Sequence, residues 1–223
     1  MIHQKRRQEL LSRLSDNAVV IVSTNSEQKR NSDVNYPFRP DSSFWYLTGF
    51  TEPDAIAVFS KKKYSVFVRP KDKTKEIWDG ERLGVKSAPK ALLADNAYSI
   101  DDFLKTIHKL IDKNKFVYFD NSSTNKLNEN ITSILANDNK SLNTVISEMR
   151  LIKDSTEIQN MQTAANLAAK AHMTAMTKVS PGLYEYHVAA EIDAEFRTGN
   201  SDHAYPPIVA SGKNSCVLHY TEN

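Results

Sequence analysis

The first third of the chain carries short apolar runs that are separated by polar turns. Leu10, Leu11 and Leu14 share one helical face after a basic start, so their spacing predicts an N-terminal helix. The β-rich run Ala18–Val22 is short enough to be a buried strand. The run Phe44–Thr48 is also predicted to be a strand, because it follows a polar, proline-containing loop and is closed by a glycine. The chain is therefore expected to begin with a helix and then enter a sheet.

A β-hairpin with a charged tip is predicted next. Two β-rich runs, Ala55–Phe59 and Tyr64–Val68, flank the lysine triplet Lys61–Lys63. A solvated turn is the favoured interpretation of this triplet, although three lysines can also bind phosphate.

Helices and strands continue to alternate up to about residue 147. Ser99–Asp102 resembles a capping box and precedes a run with helical spacing. Phe116–Phe119 is predicted to be a strand, residues 127–135 a helix and Leu142–Ile146 a last strand. This alternation indicates an α/β layer domain.

The residue pattern changes at Asp154, where a capping box begins an alanine-rich helix. Six residues are expected to line one side of it: Ile158, Met161, Ala165, Ala168, His172 and Met176. Pro181-Gly182 breaks this helix, and a second helix over Tyr184–Arg197 should return antiparallel to it. Ile208–Ala210 and Cys216–Tyr220 are predicted to form a hairpin. The chain is thus predicted to contain a first domain of residues 1–150 and a second of residues 151–223. A two-stranded hairpin is only marginally stable alone, so the second domain is expected to be incomplete.

Composition and charge exclude several classes of protein. With 40% apolar and 25% charged residues, the chain is neither disordered nor dependent on disulfides for a core. Its net charge of +2 is too small to direct it to nucleic acid. No run approaches the roughly 20 apolar residues of a membrane span. Cys216 is the only cysteine, so a reducing cytoplasm is the expected compartment.

Candidate chemistry is sparse when the residues are taken singly. His187, Glu191 and Glu195 lie four residues apart and could ligate a metal from one helical face, but a boundary face is the favoured interpretation. Asp202-His203 could be an acid/base pair in a loop, although adjacent residues rarely converge. His219 would face a pocket wall if its run were a strand, and an imidazole there can donate to a developing oxyanion. Taken alone, a hydrogen-bonded core residue is the favoured interpretation.

Trp78 has no periodic apolar partner. It either covers a sheet edge or projects toward another subunit or a ligand.

Five motifs, in order along nearly the whole chain, resemble bacterial Xaa-Pro aminopeptidase, or aminopeptidase P. They are Asp41–Ala55 (DSSFWYLTGFTEPDA), Glu76–Gly84 (EIWDGERLG), Glu148–Lys153 (EMRLIK), Pro181–Tyr186 (PGLYEY) and Cys216–Asn223 (CVLHYTEN). The resemblance implies an N-terminal mixed-sheet domain of the creatinase/prolidase type. It also implies the start of a pita-bread α+β catalytic domain, with two helices and a hairpin.

The resemblance further implies hydrolysis of the bond between an N-terminal residue and a following proline. In this family two divalent metals, usually Mn²⁺, hold the attacking hydroxide and are ligated by two aspartates, one histidine and two glutamates. All five ligands follow the family's His-Tyr-Thr-Glu-Asn motif, so none has a counterpart here. The chain is therefore expected to be a truncated enzyme that binds no metal and is inactive alone.

Four residues carry over by position in the motifs. His219 matches the catalytic histidine that holds the scissile carbonyl or its tetrahedral product. Arg150 matches an arginine facing the cleft, and Tyr205 matches a pocket aromatic, although Tyr205-Pro206-Pro207 departs from the bacterial pattern. Trp78 matches a tryptophan that enters a neighbouring subunit's site, so a homo-oligomer, tetramer or dimer, is expected of the complete protein.

Two other interpretations remain open. The related Xaa-Pro dipeptidase (prolidase) shares the Trp-Tyr-Leu-Thr-Gly and Glu-Met-Arg elements. A non-catalytic interaction module of the same fold is the third.

Overall fold

The computed structural model describes residues 2–111, 116–119, 129, 131–132 and 139–223. The chain divides into two compact units, Met1–Leu151 and Ile152–Asn223. None of the helices in the described ranges is long and apolar enough to span a bilayer.

The first unit is built on a sheet whose strands are β1 (Ala18–Ser23), β4 (Ile56–Phe59), β5 (Tyr64–Val68), β6 (Asn96–Ser99), β7 (Phe116–Phe119) and β8 (Asn139–Ser141). Their order is β6-β5-β4-β1-β7-β8. The β1–β4 and β4–β5 pairs are antiparallel, and the other three pairs are parallel. A separate short ribbon consists of β2 (Lys29–Asn31) and β3 (Val34–Asn35). The mixed α/β architecture expected from the sequence is confirmed.

Helices cover both faces of this sheet. They are α1 (Ile2–Ser12), α2 (Ser42–Thr48), α3 (Lys73–Asp79), α4 (Gly84–Leu92), α5 (Phe103–Leu110) with a 3₁₀ turn before it (Ile100–Asp102), and α6 (Asn143–Leu151). One face packs against α1, α2 and α6, and the other face packs against α5. Every residue of β1 is buried, as expected for a strand covered on both sides. The predicted hairpin around Lys61–Lys63 is also present, closed by a hydrogen bond from the Ser60 N–H to the Lys63 carbonyl (2.9 Å).

Two strand predictions in this unit are wrong. Residues 44–48 lie in α2, because the Asp41 carboxylate accepts the Phe44 N–H (2.8 Å) and Gly49 ends the helix in the left-handed region (φ 71°). These caps outweigh the β-propensity of Phe-Trp-Tyr. The last strand is β8 rather than 142–146, since Leu142 and Ile146 are buried four residues apart at the start of α6. Of the predicted 127–135 helix, residues 129, 131 and 132 are helical and the rest lie outside the described residues.

The second unit contains α7 (Ser155–Lys178) and α8 (Glu185–Thr198). The predicted capping box at Asp154 is present, with the Glu157 carboxylate accepting the Asp154 N–H (2.9 Å). The helices are antiparallel, because Lys170 bonds Glu195 (2.7 Å) and Lys178 lies 3.9 Å from Glu191.

Two expectations for this unit are wrong. Ile158, Met161 and Met176 are exposed, and the buried residue of α7 is Ala171, because α8 packs on the face that carries Ala171. The predicted hairpin is absent: among the described residues of this unit there is no strand, and Gly212–Cys216 forms a 3₁₀ turn.

Candidate functional site

Trp78 stands on the last turn of α3 and points into solvent, with 84% of its surface exposed. The Asp72 carboxylate begins this helix by accepting the N–H groups of Thr74 (3.0 Å) and Lys75 (3.1 Å). These hydrogen bonds lower the pKa of Asp72. Gly80 ends the helix at φ 89°, which an L side chain rarely adopts. Trp78 therefore does not cover a sheet edge in this unit, and its contact with another subunit or a ligand stays a prediction.

A hydrogen bond and an ion pair hold the loop that follows Trp78. The Glu76 carboxylate accepts the backbone N–H of Arg82 (2.9 Å), and Lys71 bonds Glu81 (2.6 Å). The hydrogen bond between Lys71 and Glu81 raises the pKa of the lysine and lowers that of the glutamate. The loop is folded back toward α3, so these contacts hold the turn that follows Trp78.

A cavity of about 780 Å³ opens beside Trp78. Arg69 and Arg82 line it, and the Nε of each is buried without a hydrogen-bond partner. Arg69 also lies 3.7 Å from the Glu27 carboxylate. Five carboxylates line the same space: Glu27, Asp54, Asp72, Asp79 and Asp101. A cavity with both signs of charge and an aromatic edge is suited to a zwitterionic chain such as a peptide.

Arg150 lies in the last turn of α6, exposed, with its guanidinium 6.0 Å from the centre of the Tyr46 ring. Arg6 of α1 lies over the same ring at 4.0 Å. Tyr46 belongs to α2, so this arrangement connects three helices of the first unit. An arginine beside an aromatic face is held by its cation–π contact while its donors stay available.

His219 and Tyr205 both belong to the second unit and both are exposed. Among its described residues, no hydrogen bond or ring contact joins the two side chains. Tyr205 lies in the loop after α8, and His219 follows the Gly212–Cys216 turn. The strand that was expected to place His219 in a pocket wall does not form.

Glu185, which sequence reasoning did not select, organises the segment that carries His219. Its Oε1 accepts hydrogen bonds from the Ser211 N–H (2.8 Å) and the Asn214 Nδ2 (2.9 Å). Asn214 also donates to the Tyr220 hydroxyl (3.1 Å), which donates to the Glu222 carbonyl (2.9 Å). The chain from Ser211 to Glu222 is thus tied to the first turn of α8.

The same network shifts two pKa values in opposite directions. Hydrogen bonds from Asn214 and Ser211 lower the pKa of Glu185. Desolvation, followed by the charges of Glu185 and Glu222, raises the pKa of Tyr220. One sequence signal could have selected Glu185. It lies in the Pro181–Tyr186 motif, and the sequence has no basic residue three or four positions later that would form a helical ion pair with it.

The helical stripe of His187, Glu191 and Glu195 does not form a metal site. Glu195 bonds Lys170 and Thr174, while the His187 Nδ1 accepts the Tyr184 N–H (3.0 Å), so their helical stripe is occupied by internal contacts. Across the described ranges, no group of three or more His, Cys, Asp and Glu side chains is placed to hold an ion.

The Asp202-His203 pair does not form as an acid/base pair either. The His203 ring pairs with Asp193, and Asp202 lies 3.5 Å from Arg197.

Comparisons with known proteins cover both units. Residues 3–118 match the family model "Aminopeptidase P, N-terminal domain", and residues 159–223 match "Metallopeptidase family M24". The chain is 38% identical to the Xaa-Pro aminopeptidase of Haemophilus influenzae and 37% identical to that of Escherichia coli, each over 99% of its length. It superposes on proline aminopeptidase P II from Yersinia pestis with a TM-score of 0.93 and 32% identity over 99% of its length. These matches confirm the resemblance that the five motifs indicated.

The chain spans about half the length of the relatives it matches. It covers 53% of the Haemophilus protein, 54% of the Escherichia protein and 55% of the Yersinia chain.

Proposed function

Because the chain belongs to the family defined by the aminopeptidase P N-terminal domain, we propose that it forms the N-terminal part of a metal-dependent Xaa-Pro aminopeptidase. The complete protein would remove the first residue from peptides with proline in second position. One observation carries the proposal: the similarity is continuous over 99% of the chain and includes both units.

His219 is the proposed catalytic residue. Its exposed imidazole can donate a hydrogen bond to the scissile carbonyl oxygen as negative charge develops there. The Glu185 network supports this role, because it fixes the backbone on both sides of the histidine.

Arg150, Tyr205 and Trp78 are the proposed substrate-binding residues. Each is exposed, so each is available to a ligand in its own unit. A peptide bond to proline has no N–H to donate, which favours recognition by aromatic and imidazole walls over hydrogen bonding.

The metal centre is proposed to come from sequence that the relatives have and this chain does not cover. The described residues offer no ligand cluster, and a metallopeptidase needs several oxygen and imidazole ligands. Two Mn²⁺ ions are the proposed metals of the complete enzyme, where they would activate water for hydrolysis. The 223-residue chain is then expected to bind none and to be inactive alone.

We further propose that the complete protein is a cytoplasmic homo-oligomer, either a tetramer or a dimer. Ile77 and Trp78 are adjacent apolar side chains that are 82% and 84% exposed, as expected of interface anchors. The single cysteine, Cys216, is free and exposed, which suits a reducing compartment.

The proposal is tested by measuring metal-dependent release of the first residue from an Xaa-Pro-Yaa tripeptide by the complete protein. His219→Ala should lower kcat on the order of 100-fold, the effect of removing one oxyanion donor. His172→Ala, at an exposed position of α7, is the matched control and should leave kcat unchanged.

Two outcomes would contradict the proposal. Cleavage of Xaa-Pro dipeptides but not of tripeptides would assign the protein as a dipeptidase. Absence of metal-dependent hydrolysis of either substrate would favour a non-catalytic module.

A further inference from the structure

The first unit has a second, smaller cavity, of about 200 Å³, between the β4–β5 hairpin and the end of α5. We infer that this cavity is a binding site for a phosphoryl group, held by the Ser65 hydroxyl and the ammonium groups of Lys62, Lys63 and Lys109. The cavity is defined by nine residues: Val19, Val58, Phe59, Ser60, Lys62, Lys63, Ser65, Lys109 and Leu110.

Ser65 is a buried polar residue on this face of the sheet. Along β5 the side chains alternate, and Ser65 lies on the same face as Phe67, opposite Val58 of β4. The apolar residues of that face pack against α5, and Ser23 of β1 and Asn96 of β6 are further polar residues on it. Ser65 is only 1% exposed, and its hydroxyl has no hydrogen-bond partner.

A buried hydroxyl without a partner destabilises a fold, so such groups usually have an occupant or a role. A valine or threonine would suit a strand here, but the chain places a serine that lines a cavity. The position is therefore explained if a ligand accepts the Ser65 O–H when bound.

The described residues that line the cavity carry charge of one sign. Lys62 and Lys63 come from the hairpin tip and Lys109 from the last turn of α5, and none of the described lining residues is a carboxylate. Among the described residues, none of these three lysines has a carboxylate oxygen within 4.0 Å. Lys61, in the same tip, differs because it bonds Asp16 (2.5 Å) and does not line the cavity.

These features select a small phosphorylated ligand. Three unpaired ammonium groups favour a dianion, and a phosphate monoester carries a charge of about −1.5 to −2 with three acceptor oxygens. The cavity is smaller than the roughly 300–1,000 Å³ of sites for drug-sized molecules, so it admits a phosphoryl group with a short organic part. Val19, Val58, Phe59 and Leu110 supply an apolar wall for that part.

The inference is independent of the proposed peptidase function, because the cavity residues lie on a different part of the first unit from Trp78 and Arg150 and none is shared with their surroundings.

The test titrates the purified protein with inorganic phosphate and, separately, phenyl phosphate at constant ionic strength, by calorimetry or by amide NMR shifts. Exposed lysines attract anions weakly, so a dissociation constant on the order of 1 mM is expected, with phenyl phosphate binding more tightly than inorganic phosphate. Ser65→Ala should weaken binding about tenfold, because a hydrogen bond to a charged group is lost.

The lysines provide matched variants within one turn. Lys62→Gln and Lys63→Gln should each weaken binding about threefold, while Lys61→Gln, with the same change of charge, should change it less than about twofold. Ser65→Ala should be at least as stable to heat as the parent without phosphate, which shows that its loss of binding is not unfolding.

Three outcomes would overturn the inference. One is no saturable binding of either probe at 20-fold above the expected dissociation constant, which would leave water as the only occupant. The second is equal weakening by Lys61→Gln and Lys63→Gln, which would indicate general attraction to a basic surface. The third is unchanged affinity in Ser65→Ala.

Discussion

The two units of the chain bury their apolar residues to very different degrees. In the first unit the sheet is covered on both faces, and large side chains such as Phe44, Phe67 and Ile56 are fully buried. In the second unit, Ala171 and Ala189 are the only buried apolar side chains among the described residues. Larger apolar residues there, including Ile158 and Leu218, remain exposed.

The difference shows where each unit obtains its stability. Burial of about 25 cal/mol per Å² of apolar surface stabilises the first unit through its own core. The second unit relies on helix capping, on ion pairs such as Lys170–Glu195, and on the Glu185 network. Apolar patches left exposed usually mark surfaces that contact something else. The exposed apolar residues of the second unit are therefore typical of a binding surface, and polar contacts around its two helices stabilise it.

The comparison is sharpened most strongly by truncating the same residue type in each unit. Ile56→Ala should lower the free energy of unfolding by about 2–5 kcal/mol, since it opens a cavity in a strand whose side chain is 0% exposed. Ile158→Ala should change it by less than about 0.5 kcal/mol, because that side chain is 58% exposed. Urea denaturation followed by circular dichroism measures both values.

Equal effects of the two substitutions would contradict the comparison. They would mean that Ile158 is covered in the protein in solution.

A second, smaller effect follows from a tyrosine buried in the first unit. Burial raises the pKa of Tyr64 to about 12 from 10.0, although the charge of Arg7, 4.0 Å from the ring centre, pulls the pKa down. The folded pKa of Tyr64 is higher than its unfolded pKa. The contribution of the neutral tyrosine to the free energy of unfolding is therefore present below pH 10 and is lost as the pH rises to 12. The loss is about 2–3 kcal/mol by linkage.

Tyr64→Phe should flatten the fall in unfolding free energy between pH 10 and 12. Tyr220→Phe is the control from the second unit, because the pKa of Tyr220 is also raised but its hydroxyl lies in a solvated network. A pH dependence that persists in Tyr64→Phe would show that another group is responsible.

Much of the first unit could be predicted from the sequence, because its strands are continuous apolar runs. Ala18–Val22 and the Lys61–Lys63 hairpin needed no information beyond the local pattern. Residues 44–48 could not be assigned in this way. Two short-range hydrogen bonds, from the Phe44 N–H to the Asp41 carboxylate and from the Gly49 N–H to the Trp45 carbonyl, outweighed the aromatic β-propensity. The strand predicted over residues 142–146 was wrong for a related reason. Two apolar residues four positions apart, such as Leu142 and Ile146, fit a helix, but so short an apolar run also resembles a strand.

The candidate site was harder to predict, because its contacts depend on distant residues. The motifs selected His219, Arg150, Tyr205 and Trp78, and whether these bind substrate remains a prediction. Local alternation placed Cys216–Tyr220 in a strand, but a strand needs a neighbouring edge, and no ladder reaches this segment in the described residues. Glu185 instead holds it from 26 residues away, through Ser211.

The smallest expected effect comes from weakening the hydrogen bond between Ser211 and Glu185 in the second unit. Glu185→Gln keeps an acceptor oxygen but removes the negative charge that strengthens the hydrogen bonds from Asn214 and Ser211. We expect faster amide hydrogen exchange at Ser211 in the variant and no change in β1 of the first unit, since Ser211 donates directly to this carboxylate (2.8 Å).

The parent protein should show the same loosening in acid. The folded pKa of Glu185 is depressed, so its contribution is present above the ordinary value of 4.5 and disappears as the pH falls through the folded value. In Glu185→Gln, protection at Ser211 should be independent of pH in this range after correction for intrinsic exchange. If protection in the variant equals that of the parent at neutral pH, the segment that carries His219 is held by backbone contacts and the second unit is more self-sufficient than its exposed apolar residues indicate.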